Sequence, residues 1–203
     1  MRKVPCAMAY RYFLIYKPYG MLSQFSTDDP AKRTLGELYD FPKDVYPVGR
    51  LDEDSEGLLL LTNDPKMNAA LTGESVDKEY YVQVEGIPTE GAMEKLRRGV
   101  DITVKKQRYY TKPALVRRLE PAPELPERIP PIRVRQTVPD AWISITLREG
   151  KNRQVRRMTA AVGYPTLRLV RWRQGKWTVK GFGVGEVREI SLEAAPNSRG
   201  TPI

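Results

Sequence analysis

Residues 49–64 read Gly-Arg-Leu-Asp-Glu-Asp-Ser-Glu-Gly-Leu-Leu-Leu-Leu-Thr-Asn-Asp, so a loop rich in carboxylates runs directly into an apolar strand. That order constrains the fold strongly, because a core strand holds the residues at its own start rigidly and here they include Asp52. Far downstream comes Gly150-Lys151-Asn152-Arg153-Gln154-Val155-Arg156-Arg157-Met158, whose arginines can pair with a carboxylate and grip a polyanion. Either segment alone is a weak signal.

The 203 residues suffice for one large domain or two small ones sharing a core. Seventeen prolines and fifteen glycines fit the many short connections of an α+β chain. No apolar stretch approaches the length of a membrane span, and the N-terminus lacks the apolar core of a signal peptide, so a cytoplasmic protein without membrane contact is expected. Cys6 is the single cysteine and histidine is absent, which excludes an internal disulfide and removes the commonest metal ligand and general base. Metal centres are not expected, and acid–base or nucleophilic work falls to Asp, Glu, Lys, Tyr or Ser.

The net charge is +9, and its placement is more informative than its size. Between Leu147 and Lys180 lie ten basic residues against one acid, Glu149, so this segment carries the whole excess. With Trp172 and Trp177 interleaved, it has the footprint of nucleic-acid binding.

Along the chain, Tyr12–Tyr16 predicts a strand ending in the turn Lys17-Pro18-Tyr19-Gly20. Thr34-Leu35-Gly36-Glu37 has the form of a capping box and predicts a short helix before Pro42. Asp64-Pro65 predicts a helix start, with closure near Gly73. A second unit begins with an alternating strand over 78–86, whose period places Tyr80 and Tyr81 on opposite faces. Thr89 caps a helix to about Arg98, and Ala114–Leu119 reads as a strand. Five prolines between 121 and 131 make the next stretch a long loop. Ala141–Leu147 alternates as a strand. Asn152 is then expected to cap a helix over Arg153–Val162, with Val155, Met158 and Val162 on its core side and Arg153, Arg156 and Arg157 facing a cleft. Residues 1–10 and 193–203 are expected to be loose ends around one domain spanning 11–192, with subdomains at about 11–75 and 76–192.

Two other patterns touch the acidic loop. A phosphatase-type Asp-x-Asp-x-Thr loop follows its apolar strand, whereas here the strand comes after the acids. A calcium loop through Asp52, Asp54 and Gly57 requires Glu at its twelfth position, which is Asn63. An Arg50–Asp52 surface turn before a core strand is the plain structural alternative.

Taken together, the segments resemble the RsuA/RluB/RluE/RluF class of ribosomal pseudouridine synthases. Lys17-Pro18-Tyr19-Gly20 resembles its first motif, and Gly49-Arg50-Leu51-Asp52 with Gly57–Asp64 its catalytic motif. Lys78-Glu79-Tyr80 is similar to its tyrosine motif, Glu149–Met158 to its third, and Gly185–Ile190 to its closing strand. The likeness spans about residues 11–192 in order. Most members carry an N-terminal S4 module, for which the roughly ten residues before the first strand are too few. This points to the RluE branch and a 23S rRNA substrate. Ser55 stands where many members have Thr, and either hydroxyl can brace the loop.

The resemblance implies an α+β catalytic fold, two subdomains sharing an extended mixed sheet around a central cleft. It also implies isomerisation of uridine in ribosomal RNA with no cofactor, and a monomer is expected. Asp52 is assigned as nucleophile or as the carboxylate that stabilises a ribosyl intermediate, and attack at the sugar carbon and elimination both remain open. Both roles need the carboxylate ionised, so Arg156 is assigned as its ion-pair partner. Tyr80 is assigned to stack on the uracil and help remove the C5 proton. Lys17, Arg50, Lys151, Arg153, Arg157, Arg171 and Arg173 are assigned to the RNA backbone. The rival reading is a non-catalytic rRNA-binding or ribosome-assembly protein, for which the basic segment would suffice.

Overall fold

The computed structural model describes residues 10–132 and 138–191. The loose ends expected at 1–10 and 193–203 lie, Tyr10 apart, outside the described residues. Among these, the strands are β1 (Tyr12–Lys17), β2 (Met21–Leu22), β3 (Arg33–Thr34), β4 (Tyr46–Pro47), β5 (Glu56–Thr62), β6 (Lys78–Glu85), β7 (Asp101–Val104), β8 (Gln107–Tyr110), β9 (Leu115–Arg118), β10 (Asp140–Leu147), β11 (Thr166–Gln174), β12 (Trp177–Thr178) and β13 (Val187–Ile190). The helices are α1 (Pro65–Thr72), α2 (Glu90–Arg98) and α3 (Gln154–Ala161).

Nine strands form one mixed sheet in the order β13-β1-β5-β11-β6-β10-β9, with β4 beside β5 and β12 beside β11. The α+β class with an extended mixed sheet is therefore as expected. Its neighbours are antiparallel except at the centre, where β5 and β11 run parallel with Glu56 opposite Val170 and Gly57 opposite Arg171. The closing strand β13, counted by sequence with residues 76–192, pairs instead with β1, from Tyr12 opposite Ile190 to Ile15 opposite Val187.

The run of leucines is explained by burial on both faces of β5. Leu58 and Leu60 join Leu14, Tyr16, Val48 and Val170 in one core, while Leu59 and Leu61 join Phe13, Ile15, Met21 and Leu35 in another. Each buried leucine contributes about 1.5–3 kcal/mol. A third core packs α2 and α3 against β6 and β10 through Met93, Leu96, Val155 and Met158 on Val82, Ile143 and Ile145.

Local signals behaved as capping chemistry dictates at α1 and α2. Asp64 accepts from the Lys66 and Met67 amides at 2.9 and 3.3 Å, and Thr89 accepts from Ala92 at 3.3 Å. Near Thr34 the expected short helix is a single 3-10 turn, Leu35–Glu37, in which Glu37 accepts from the Thr34 amide at 2.9 Å as a capping box requires. Helix α3 starts at Gln154, not at an Asn152 cap. Arg153 precedes it with φ 51°, a left-handed conformation that is strained for a non-glycine residue. The β7–β8 hairpin has no counterpart in the sequence-based element order.

Gly57 sets the central seam. Its φ is +99°, and a Cβ there would lie 2.4 Å from the Arg171 carbonyl oxygen and 2.8 Å from the Arg171 amide, so the parallel strands approach too closely for any side chain. Gly57→Ala is expected to destabilise the protein by about 2 kcal/mol or more, since both backbone strain and a backbone clash are introduced. Urea denaturation of the variant beside the wild type measures this, and a loss under half that size would contradict the packing described.

Candidate active site

The loop before β5 is clamped from several sides. The Leu51 amide donates to Ser23 Oγ at 3.1 Å, and that hydroxyl donates to the Leu51 carbonyl at 2.8 Å. The Gly20 amide donates to the Glu53 carbonyl at 2.9 Å, and the Ser55 amide closes a turn onto the Asp52 carbonyl at 3.0 Å. Within that turn Asp52 and Asp54 diverge. Asp52 lines a cleft of about 600 Å³ together with Arg50, Tyr80, Lys151 and Arg153. Asp54 turns beneath it towards the start of α3.

Asp54 receives the arginines. Arg153 donates to both of its carboxylate oxygens, at 2.8 and 2.7 Å, and Arg156 Nη2 donates to its backbone carbonyl at 2.6 Å. Arg156 Nε lies 3.4 Å from Asp54 Oδ2. Burial opposes ionisation of Asp54, but the Arg153 hydrogen bonds and the two guanidinium charges outweigh it and hold the carboxyl below its ordinary range. The expected Arg156–Asp52 pair is thus corrected: Arg156 is bound to Asp54, and the cation closest to Asp52 is Arg153, with Nη1 3.9 Å away. The turn at Asp52–Ser55 causes the change by sending alternate carboxylates in different directions.

Across the cleft, β6 presents Tyr80. The alternation holds, since Tyr81 faces the other side and stacks on Trp172 with ring centroids 4.7 Å apart. Glu149, the lone acid of the basic segment, is buried and accepts from the Lys112 amide at 2.9 Å, from Gln154 Nε2 at 2.5 Å and from the Tyr109 hydroxyl. It thereby ties the Gly150–Asn152 loop to the β8 edge. Lys151 extends over the Tyr109 ring at 4.9 Å. Among the described residues no cluster of His, Cys, Asp and Glu is arranged to hold a metal ion, and no helix is long and apolar enough to cross a membrane.

The chain matches the RNA pseudouridylate synthase family model over residues 11–161. It belongs to that family. It is 52% identical over 189 residues to a ribosomal large subunit pseudouridine synthase E of Xanthomonas axonopodis pv. citri, covering 92% of this chain and 95% of the relative. It is 48% identical over 193 residues to the protein of the same name from Vibrio vulnificus, covering 94% of this chain and 80% of that one. A crystal structure of a pseudouridylate synthase superposes with a TM-score of 0.70 at 26% identity, covering 90% of this chain and 71% of the other.

Of the cations assigned to RNA in this synthase, Arg50, Lys151 and Arg153 line the cleft. Arg157 lies beside it on α3, donating to the Asn152 carbonyl at 3.1 Å. Three others are corrected. Arg171 is buried in the central strand β11, where Nε donates to the Leu58 carbonyl at 2.7 Å. Arg173 follows a register shift in β11 and lies on the Tyr81 side of the sheet, donating to Glu79 at 3.0 Å. Lys17 is fully buried, and its ammonium donates to the carbonyls of Pro18 at 2.8 Å, Met21 at 2.6 Å and Glu53 at 3.4 Å. It secures the acidic loop from below rather than touching phosphate. The Ser55 hydroxyl, expected to brace the loop, is buried without a hydrogen-bond partner among the described residues. Sequence reasoning passed over Ser23 and Asp54 as site residues. Asp54 had a signal, since an Asp-x-Asp pair beside an arginine-rich motif offers two possible partners.

Burial pushes Lys17 down to about 7, despite the opposing charges of Glu56, Asp54, Glu53 and Asp52. In the unfolded chain a lysine titrates near 10.4, so between about 7 and 10 the unfolded state binds the extra proton and stability rises with pH. The contribution of this residue approaches about 1.4 kcal/mol per pH unit. Unfolding free energies of wild type and Lys17→Met, compared from pH 6 to 9, should diverge with that slope above pH 7. A difference that stays flat would show that Lys17 keeps its proton throughout.

Proposed function

We propose that this chain isomerises uridine to pseudouridine in the ribosomal RNA of the large subunit, acting as a monomer in the cytoplasm. One observation carries the reading: Asp52 and Tyr80, from opposite sides of the central seam, open into the same cleft, while Asp54 takes up the arginine hydrogen bonds. The two relatives named for the large subunit support the choice of RNA.

In the reaction the N1–C1′ bond breaks, the uracil turns, and C5 bonds to C1′. The C5 proton leaves and N1 ends protonated, so composition and oxidation state are unchanged. Asp52 acts at C1′, either by attack or by stabilising the ribosyl centre after cleavage. Tyr80 lies against the detached uracil and serves the C5 proton, a task for which a chain without histidine has few groups. Arg50, Lys151 and Arg157 hold the strand by its phosphates, while Arg153, whose hydrogen bonds go to Asp54, fixes the acidic loop. A uridine inside an A-form helix is out of reach, so the enzyme takes a loop or flips the base, at a cost of a few kcal/mol.

Asp52→Asn preserves shape and deletes the charge. Tritium release from C5-labelled uridine in 23S rRNA is expected to fall to background while RNA affinity is kept, and multiple turnover by this variant would refute the assignment. Tyr80→Phe retains stacking but loses the hydroxyl. Its single-turnover rate should drop by about 10²–10⁴-fold, the usual range for a general acid or base. A wild-type rate would move the proton to another carrier.

A further inference from the structure

We propose that the β7–β8 hairpin is a second RNA-binding element, with Lys105 and Lys106 at its tip gripping the phosphate backbone of the strand beyond the cleft. The inference rests on RNA being the substrate, as argued above.

The turn itself is the first observation. Val104 pairs with Gln107, leaving Lys105 and Lys106 as a two-residue loop, and their φ angles are 49° and 67°. Such turns select Asn-Gly or Asp-Gly, because a Cβ in the left-handed region crowds the neighbouring carbonyl. Lysine has no advantage there. A strained backbone retained at two adjacent cations points to a demand for the cations.

Uncommitted charge is the second. Both lysines are exposed, and neither has a hydrogen bond or ion pair among the described residues. The arginines that made residues 147–180 look like the RNA surface are largely engaged internally: Arg168 by Glu56, Arg173 by Glu79, Arg148 by Asp77, and Arg153 with Arg156 by Asp54. Arg108 on the hairpin is likewise held, 3.1 Å from Asp101. The tip lysines are free to neutralise phosphate.

Placement is the third. Tyr109 on β8 donates to Glu149 and carries Lys151 on its ring, and both partners line the cleft. Lys106 stands three positions before Tyr109, about 10 Å at roughly 3.4 Å per residue. The tip therefore extends the same hairpin that carries Lys151 at the cleft, and a strand held by Lys151 has the tip cations within its reach.

The test is the full-length double variant Lys105→Asn/Lys106→Gly, which supplies the residues the turn prefers. Its melting temperature should equal or exceed that of the wild type; a clear fall would remove the strain argument and overturn the proposal. Filter binding to transcribed 23S rRNA over a salt series should show the slope of log K against log salt flattened by about 1.4, two contacts at about 0.7 each on single strands. An unchanged slope also overturns it. Lys105→Arg/Lys106→Arg keeps the charge and should keep the slope; loss there would implicate turn shape instead and count equally against it. Tritium release by the wild type is measured in parallel. Its absence, alongside hairpin-dependent binding, would sink the isomerase reading and leave the hairpin standing, whereas normal release with an unchanged slope would sink the hairpin alone.

Discussion

The buried ion pair between Glu56 and Arg168 sits where the rest of the molecule converges. Arg168 donates to both Glu56 oxygens, at 2.9 and 2.8 Å, and through Nη2 to the Pro126 carbonyl at 2.7 Å. Glu56 is the first residue of β5, so the pair fixes the exit of the acidic loop against β11 at a seam where only two residue pairs are in register. Burying two charges is expensive, and their attraction offsets the cost only when geometry and further hydrogen bonds are good, as here. Removing one partner would leave an uncompensated charge in the core, a loss of about 3–5 kcal/mol. Through this seam Asp52, in the loop that leads into β5, is registered against Tyr80 of β6, which lies opposite Arg171 of β11. The same arginine anchors the proline-rich loop.

That pair also shows why charge read along the chain misleads. The positive segment looked like a surface because its arginines have almost no acids near them in sequence. Glu56 is 112 residues from Arg168, Glu79 is 94 from Arg173, and Asp54 is 99 from Arg153. Long-range pairing of this kind has no local signature. A net charge of +9 survives, but within residues 147–180 Arg148, Arg153, Arg168 and Arg173 are committed to carboxylates, so the density of cations along the chain overstates those left free.

Elements whose stability is local were legible. The caps at Asp64 and Thr89, the alternation of β6 and the strand through leucines 58–61 follow from side-chain period, apolar run and orphan amides, which a sequence displays. The meeting of Asp52 and Tyr80 was legible only through family resemblance, because periodicity cannot say which strands are neighbours. What failed did so for physical reasons. The start of α3 was displaced by one residue because Arg153 adopts a left-handed backbone that no propensity favours. The β7–β8 hairpin was invisible because its turn lacks the Gly or Asn that announces one. Lys17 was assigned to phosphate through the family's first motif, and its burial was not legible because its three carbonyl acceptors come together only in the fold.

The two carboxylates of Asp52-Glu53-Asp54 divide a conflict inherent in such a site. A carboxylate gripped by a bidentate arginine is held ionised and in place, but its lone pairs are occupied and its charge is partly spent. One left without a cation is free to react yet poorly positioned on a loop. Here Arg153 and Arg156 spend their hydrogen bonds on Asp54, which fixes the loop. Arg153 then stands 3.9 Å from Asp52, close enough for its field and too far for a hydrogen bond. Arg153 reaches both carboxylates from a left-handed backbone at the residue that precedes α3. Asp54, two positions from Asp52, is therefore as much a part of the cleft's construction as Asp52 itself.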